Sequence, residues 1–278
     1  MAEGPAVGAP QSTRLTVLGS GDAFGGCGCN AAAVVDDRVL VDCGAPVHAL
    51  LPRAGLAAAT LDLVLLTHFH ADHTYMLPML LGARAFAGEP RPGLTIAGPP
   101  GTREYVVRLL HTGFGRHLVE LIEDRLQPRW AILQDGATAV LSGYTVGAHA
   151  VVHSIGPSLA YTVRRDQAAA IGFSGDTTVC AGLRRVIAAA DLMVCECTGW
   201  DAPTDGGHLW RAELEQLIAE YPDTSFLLSH LRTRGPVAGA LIAHDLLSID
   251  VLARGLGEPA SGSPLRADRS APAQVRGE

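Results

Sequence analysis

The chain has 278 residues, of which 48% are hydrophobic and 18% charged, a composition typical of a globular protein with a large buried core. Its formal net charge of −7 gives no general attraction for polyanions, so nucleic acid would need a local basic patch. All 21 basic residues are arginine, and this absence of lysine excludes Schiff-base chemistry and a lysine-dependent phosphate loop.

The N-terminal residues contain no basic region followed by an apolar run, so they do not resemble a secretory signal. No apolar stretch reaches the ~20 residues that a membrane span requires. The six cysteines include two Cys-x-Cys pairs, neither with the spacing of a structural zinc ribbon, and reduced thiols are the simpler interpretation. We therefore expect a cytoplasmic protein with no membrane partner.

The first half of the chain alternates short apolar runs with longer helical patterns. The runs predict strands at 15–19, 31–37, 38–44, 61–66 and 94–98, and the second and third of these form a hairpin that turns at Asp36 and Asp37. Helical periodicity predicts helices at 74–86 and 102–126, the second interrupted near residues 113–115.

The second half repeats this organisation. Predicted strands lie at 144–153, 159–165, 169–175, 192–197 and 225–230, and predicted helices at 178–190, 208–220 and 236–254. Two strand-rich halves with attached helices indicate an α/β fold in which two sheets pack face to face with helices outside. We expect disordered ends at 1–12 and 256–278 and one domain over 13–255.

Four polar residues, His68, His70, Asp72 and His73, directly follow an apolar strand. Polar groups at such a place are costly unless something pairs them. A solvated loop with Asp72 as a helix cap is one interpretation. Imidazole, however, is the commonest metal ligand among side chains. Strand alternation directs His68 and His70 the same way, and the following turn presents the other two from the opposite side, which suits two metal ions sharing one site.

Three later strands also end at a residue of ligand type: His153, Asp176 and His230. Each alone would more often be an ordinary loop residue. Together with the first four they make seven candidate ligands, placed where strand ends converge on one edge.

This order of residues, with the segment SGDT at 174–177, resembles the metallo-β-lactamase superfamily of binuclear metallohydrolases over residues 14 to 254. The resemblance implies a four-layer αββα sandwich with metals at one edge. It also implies that His68, His70 and His153 hold one ion, that Asp72, His73 and His230 hold the other, and that Asp176 bridges them.

Two ions bridged in this way generate a hydroxide nucleophile at neutral pH, with Asp72 orienting it or taking its proton. Zinc suits these nitrogen and oxygen ligands, and we expect two Zn²⁺, with manganese or iron as alternatives.

The segments CECT at 195–198 and GGHLW at 206–210 resemble the ribonuclease Z and phosphodiesterase branch of the superfamily. That resemblance implies that His208 is a general acid positioned by Glu196. The alternative is a buried strand-end glutamate beside a helix-starting histidine. If His208 opens a helix, the helix dipole and nearby cations should lower its pKa.

The sequence departs from ribonuclease Z in lacking the long arm that grasps transfer RNA, because few residues separate His153 from Asp176. We therefore expect a small-molecule ester, most naturally a cyclic or nucleotide-type phosphodiester, and do not expect transfer RNA as a partner. Arg232 and Arg234 either clamp a phosphate or belong to a solvated loop. The apolar faces of the helices near residues 102–126 allow a homodimer.

Two other functions are compatible with the sequence. The same metals could support hydrolysis of a lactone, thioester or sulfate ester, although this gives His208 and Glu196 no evident role. A non-catalytic, metal-stabilised binding subunit is the alternative from another class, and it does not explain why all seven ligand-type residues are present.

Overall fold

In a computed structural model, residues 12–86, 88–89, 91–253 and 265–267 are described, and they form strands and helices in alternation. The strands are β1 (Ser12–Gly19), β2 (Ala32–Val35), β3 (Val39–Val41), β4 (Leu63–Leu65), β5 (Thr95–Gly98), β6 (Arg129–Ile132), β7 (Thr138–Leu141), β8 (Tyr144–Ala150), β9 (Leu159–Arg164), β10 (Ile171–Phe173), β11 (Leu192–Glu196), β12 (Ser225–Ser229), β13 (Ala240–Ile242), β14 (Leu247–Leu252) and β15 (Leu265–Ala267). The helices are α1 (Val47–Arg53), α2 (Ala71–Thr74), α3 (Leu77–Phe86), α4 (Thr102–Gly113), α5 (Arg116–Leu126), α6 (Ala181–Ala189) and α7 (Arg211–Glu220).

The strands divide into two sheets. One has eight strands in the order β15-β14-β1-β2-β3-β4-β5-β6, and the other has seven in the order β13-β12-β11-β10-β9-β8-β7. Strands β3 to β6 are parallel to one another, and so are β10 to β13. Because β8 and β10 are both antiparallel to β9, the strands β8, β10, β11 and β12 all end at the same edge.

The hydrophobic core has three parts that define the layers. A central cluster lies between the sheets, with Val39 and Leu65 from one sheet and Val146 and Ile171 from the other. A second cluster joins helices α1, α3, α4 and α5 to the outer face of the first sheet, and a third joins α6 and α7 to the outer face of the second. The predicted α/β four-layer αββα sandwich is confirmed.

The two sheets are also linked by polar contacts beside the end of β4. The Leu159 N–H donates to the Thr67 carbonyl oxygen at 2.9 Å. The hydroxyl of Tyr161, which is fully buried, donates to the Leu66 carbonyl oxygen at 2.7 Å. Both contacts join the residues that precede His68 to the start of β9, so they hold the edges of the two sheets in one register.

The prediction of a helix at 236–254 is wrong. That segment forms β13 and β14, and β14 pairs antiparallel with β1, where Leu15 lies opposite Ile249. Ile249 and Val251 are buried in the central core and Leu247 packs against it. These three apolar residues recur at every second position, which is the period of a strand with one buried face. The apolar residues farther upstream mimic a helical spacing and hide that period.

Helix α1 and strands β6 and β7 were also not predicted. Strands β6 and β7 are short, and their side chains are half-exposed or exposed, so they have no buried apolar run to identify them. Helix α1 ends in a Pro-Arg pair, and Pro52 stands inside it. Proline is disfavoured inside a helix, so its presence hides this short helix of about two turns in the sequence pattern.

The expected disordered ends fall largely outside the described residues. Ser12, placed in the disordered N-terminus, instead begins β1, and residues 1–11 lie outside the described part of the chain. Within the segment expected to be a disordered tail, Leu265–Ala267 forms β15 and pairs with β14. Among the described residues, no helix is long and apolar enough to span a membrane.

The position of Ile249 in the core gives a test of strand β14. We expect Ile249→Ala to lower the free energy of unfolding by about 2–5 kcal/mol, because the side chain is only 3% exposed and its removal leaves a cavity. The neighbouring Asp250→Asn should cost only about 0–1 kcal/mol, since Asp250 forms an exposed ion pair with Arg14. Urea denaturation measures both variants, and equal small losses would contradict the strand.

Candidate metal centre

The seven residues predicted as ligands come together at the edge where β4, β8, β10 and β12 end. His68 and His70 lie in the segment between β4 and the short helix α2, which itself carries Asp72 and His73. His153, Asp176 and His230 follow β8, β10 and β12. Parallel strands that end together, plus one strand from the opposite sheet, are what bring residues more than 150 positions apart into one site.

One group consists of His68, His70, His153 and Asp176, whose ligand atoms all lie within 4.8 Å of one another. The Nε2 atom of His153 is 3.0 Å from Nδ1 of His70. The Oδ2 atom of Asp176 is 3.8 Å from Nε2 of His68 and 3.8 Å from Nε2 of His153. Three imidazoles and a carboxylate at these spacings can hold one metal ion.

The second group consists of Asp72, His73, His230 and the same Asp176, again within 4.8 Å. The Nε2 atom of His230 is 3.1 Å from Oδ2 of Asp72 and 3.3 Å from Nε2 of His73. Asp176 contributes Oδ1 at 3.3 Å from His73 and Oδ2 at 3.5 Å from His230. Asp176 is therefore the one member common to both groups.

Asp176 is a buried carboxylate at the centre of the site. Its burial alone would raise its pKa, but the positive charge available on His230 and His73 outweighs burial and holds the pKa well below its ordinary value. Among the described residues, its Oδ1 atom and the Nε2 atom of His68 are buried without a hydrogen-bond partner. Buried polar atoms without partners are costly, and a bound cation would satisfy both.

Asp42, which sequence analysis did not single out, positions two of the histidines. Its carboxylate accepts from the Thr67 N–H and hydroxyl, at 2.8 Å each, and from Nδ1–H of His73, also at 2.8 Å. Since the Thr67 hydroxyl donates to Asp42, it accepts from Nδ1–H of His68 at 3.0 Å. Both imidazoles are thereby fixed with the proton on Nδ1 and the lone pair of Nε2 directed into the site.

Two more histidines are fixed in the same tautomer. His153 donates Nδ1–H to the Gly207 carbonyl oxygen at 3.1 Å. His230 donates Nδ1–H to the Thr198 hydroxyl at 2.8 Å, because that hydroxyl itself donates to Glu196 Oε2 at 2.7 Å. A hydrogen-bond acceptor on the far ring nitrogen is the usual arrangement around metal-binding histidines.

These tautomers direct lone pairs toward each other. His73 and His230 both give their Nδ1 proton elsewhere, so at 3.3 Å their Nε2 lone pairs face each other. Such a contact needs a positive charge between the rings, supplied by a proton or by a metal ion. The two partnerless buried atoms and these facing lone pairs show that the residues present fit a metal centre.

Glu196 and His208 meet beside the second group. Nδ1–H of His208 lies 3.1 Å and 3.2 Å from the two carboxylate oxygens of Glu196. Burial lowers the pKa of His208, but the hydrogen bond and charge of Glu196 outweigh it, and the pKa is raised. The expected lowering by a helix dipole is wrong, because α7 begins at Arg211 and His208 does not open it.

The two arginines after His230 have different surroundings. Arg232 lines a cleft above the metal-ligand groups and donates from Nε to the buried carboxylate of Asp22 at 2.7 Å. Arg234 instead donates to the Ser20 hydroxyl at 2.6 Å, away from the lining of that cleft. Of the two, only Arg232 is placed to reach a bound substrate.

The cleft has a volume of about 620 Å³, the size of a small-molecule site. Asp72, Asp176, His208 and His230 form its floor. The remaining lining residues, which belong to the surrounding loops and to the start of α2, are Asp22, Ala23, Phe24, His70, Ala71, Thr198, Pro203, Thr204, Asp205 and Arg232.

Three positioning residues escaped sequence analysis: Asp42, Gly44 and Thr198. A Cβ atom on Gly44 would lie 1.6 Å from the Asp72 carbonyl oxygen, so only glycine lets α2 approach β3 closely enough. Asp42 and Gly44 could have been noticed in the sequence, because a polar residue and a glycine directly after the buried strand β3 indicate a functional strand end. Thr198 lies in the quoted CECT segment, but its contact with His230 could not be predicted, because His230 is 32 residues away.

Residues 37–231 match the family described as "Beta-lactamase superfamily domain". A Ribonuclease Z of Methanosarcina acetivorans is 31% identical over 172 residues, an alignment that covers 57% of this chain and 53% of that relative. The chain thus matches about half of that relative's length.

Two solved structures share the fold. The metallo-beta-lactamase fold protein YhfI from Bacillus subtilis superposes with a TM-score of 0.70 at 21% identity, covering 86% of this chain and 100% of that one. The short form of human tRNase Z gives a TM-score of 0.68 at 25% identity, covering 85% of this chain and 98% of that one. The resemblance stated from the histidine motif is confirmed.

Asp42 provides a test of the outer hydrogen bonds. We expect Asp42→Ala to weaken metal binding about 10–100-fold, because His73 and Thr67 lose the acceptor that orients them. Competition with a chromophoric chelator measures the affinity, and circular dichroism checks the fold. Asp124→Ala, on the exposed face of α5, is the matched control. Metal binding unchanged in Asp42→Ala would remove this residue from the site.

Proposed function

The chain belongs to the β-lactamase superfamily, and from that premise we propose that it is a metal-dependent hydrolase that cleaves small phosphodiesters. The observation that carries the proposal is a pair of ligand groups sharing Asp176, with the His208–Glu196 pair beside them and outside both four-residue groups. Such a combination suits hydrolysis in which the metal ligands and the proton donor are separate residues.

We propose that His68, His70 and His153 hold one ion, that Asp72, His73 and His230 hold a second, and that Asp176 bridges them. Two zinc ions suit these ligands, and manganese or iron would use the same atoms. When bound, the ions supply Lewis-acid activation of water and of the ester oxygen.

The remaining steps belong to side chains of this chain. Burial would raise the pKa of the Asp72 carboxylate, but the positive charge available on His73 and His230 outweighs burial, and the pKa is lowered. This carboxylate is therefore an ionised acceptor that orients the attacking water or takes its proton. Glu196 holds Nδ1 of His208, which leaves Nε2 free to donate a proton to the leaving oxygen.

Two features favour a small anionic diester over a long polyanion. Among the described residues that line the cleft, the one arginine is Arg232, and its guanidinium already neutralises Asp22, so this lining has little excess positive charge for a polyphosphate backbone. The interval 154–175 consists of β9, β10 and the turns that flank them, which leaves no inserted arm there. A cleft of about 620 Å³ accommodates a nucleotide-sized ester.

The name Ribonuclease Z among the relatives favours a second candidate, cleavage of precursor transfer RNA. It competes with the small-diester proposal on the same metal site, and both would use His208 on an alkoxide leaving group. A lactone, thioester or sulfate ester would also fit the metal ligands, but it leaves the His208–Glu196 pair without a task.

The bridging carboxylate gives a stoichiometric test. We expect about two metal ions per reconstituted chain, and we expect Asp176→Ala to lose both together, because one carboxylate belongs to both groups. His70→Ala should weaken only one ion, since His70 belongs to one group. Elemental analysis after dialysis gives the ratios. Loss of a single ion from Asp176→Ala would contradict the bridge.

His208 distinguishes the proposed reaction from its alternatives. An alkoxide leaving group needs a proton, whereas a nitrophenolate does not, so His208→Ala should lose ~10²–10⁴-fold in kcat/KM on alkyl or nucleotide diesters and far less on bis-nitrophenyl phosphate. Metal content should not change, because His208 is not a proposed ligand. His111→Ala, on the exposed surface of α4, is the matched control.

The outcomes separate the candidates. Equal losses on both substrates would assign His208 to positioning, and unchanged activity on both would favour the lactone, thioester or sulfate-ester function. A precursor transfer RNA assayed in parallel decides the second candidate, since efficient cleavage of it with weak activity on small diesters would overturn our proposal.

A further inference from the structure

Phe24 stands at the mouth of the cleft with its side chain 94% exposed. An aromatic ring normally gains stability from burial, so one left in solvent at a functional site indicates a surface that a ligand covers. The other rings among the described residues that line the cleft are the imidazoles of His70, His208 and His230, which the proposed chemistry already uses.

The loop that carries Phe24 is anchored by polar contacts on both sides of it. Asp22 is buried, and its carboxylate accepts from the Gly25 N–H at 2.6 Å and from Nε of Arg232 at 2.7 Å. The Asp22 carbonyl oxygen accepts from the side-chain amide of Asn30 at 2.9 Å. The exposure of Phe24 is therefore a defined position of an anchored loop.

Asp22 also links the Phe24 loop to Arg232, whose positive charge suits a phosphate. Its partner Arg232 is about half-exposed and lines the same cleft as Phe24. Ala23, Ala71 and Pro203 add apolar surface to that lining. A ligand with an anionic centre over the metal-ligand groups and a flat apolar ring toward the mouth matches this order of surfaces.

We propose that Phe24 is a specificity-determining residue that stacks on a planar ring, a nucleobase or an aryl group, attached to the phosphodiester. This inference rests on the proposed function in so far as the phosphate lies over the metal-ligand groups. It narrows the substrate class from any small diester to those that carry a flat ring, with the ring recognised by its face and not by a specific pattern of donors.

Ring stacking on an aromatic side chain predicts the size of the effect. Removing one such contact weakens binding about 5–100-fold and depends little on which base is present. The effect belongs to the ring, so a ligand with the same sugar and phosphate but no base should bind the wild type and the variant alike.

The experiment compares uridine 5′-monophosphate, adenosine 5′-monophosphate and ribose 5-phosphate as ligands of the zinc-reconstituted protein. Calorimetry or competitive inhibition gives each dissociation constant for the wild type, Phe24→Ala, Phe24→Leu and Phe24→Trp. We expect both nucleotides to bind the wild type more tightly than ribose 5-phosphate, and Phe24→Ala to weaken the nucleotides alone about 5–100-fold. Phe24→Leu should fall between, and Phe24→Trp should retain the preference.

Phe86→Ala is the matched control, because Phe86 is another exposed phenylalanine, on α3 and away from the cleft lining. Equal binding of nucleotides and ribose 5-phosphate to the wild type would overturn the proposal. So would a loss for Phe24→Ala that is the same for all three ligands, or a change of oligomeric state or vesicle binding in that variant without any change in nucleotide affinity.

Failure of the proposed function leaves a different signature. If the wild type hydrolyses no phosphodiester but still prefers nucleotides through Phe24, the ring site stands and the reaction assignment falls. If it hydrolyses simple dialkyl or bis-aryl diesters while Phe24→Ala leaves every nucleotide affinity unchanged, the reaction stands and the ring site falls.

Discussion

The burial of Asp176 among imidazole rings is the constraint on which the rest of the site depends. A carboxylate removed from water needs compensating positive charge, and a buried charge without it costs several kcal/mol. The chain has no lysine, and among the described residues the ion-pair partners of Asp176 are all histidines: His68, His73, His153, His208 and His230. Only protonated histidines or metal ions can compensate it, and the fixed tautomers with inward lone pairs favour metal ions.

The two-sheet architecture explains how seven candidate ligands meet. Four of them follow β4 in the first sheet and three follow strands of the second, so the site exists only while the sheets keep their relative position. The contacts of Thr67 and Leu66 with the start of β9 fix that position within two residues of His68. The site therefore lies where the two sheets contact each other, and the hydrophobic core between the sheets stabilises it.

Sequence patterns could bring out the candidate ligands because chemistry and topology act together at strand ends. His153, Asp176 and His230 each end an apolar run, and the αββα arrangement brings those ends to one edge. What escaped depends on contacts remote in sequence. Asp42 acquires its role from Thr67 and His73, and Thr198 from His230. The segment at 236–254 failed for another reason, since only pairing with β1 shows that Ile249 and Val251 obey a strand period.

Glu196 ties the proposed proton donor to the metal ligands. Its Oε1 atom accepts from the N–H of Thr177, the neighbour of Asp176, at 2.8 Å, and its Oε2 atom accepts from Thr198, which holds His230. The same carboxylate holds His208. A substitution at Glu196 would therefore disturb the proposed bridge Asp176, the proposed ligand His230 and the proposed acid His208 together. His208 lies at the outer end of this network, so it alone among these residues can be removed while the ligand geometry stays in place, and its loss isolates proton transfer from metal binding.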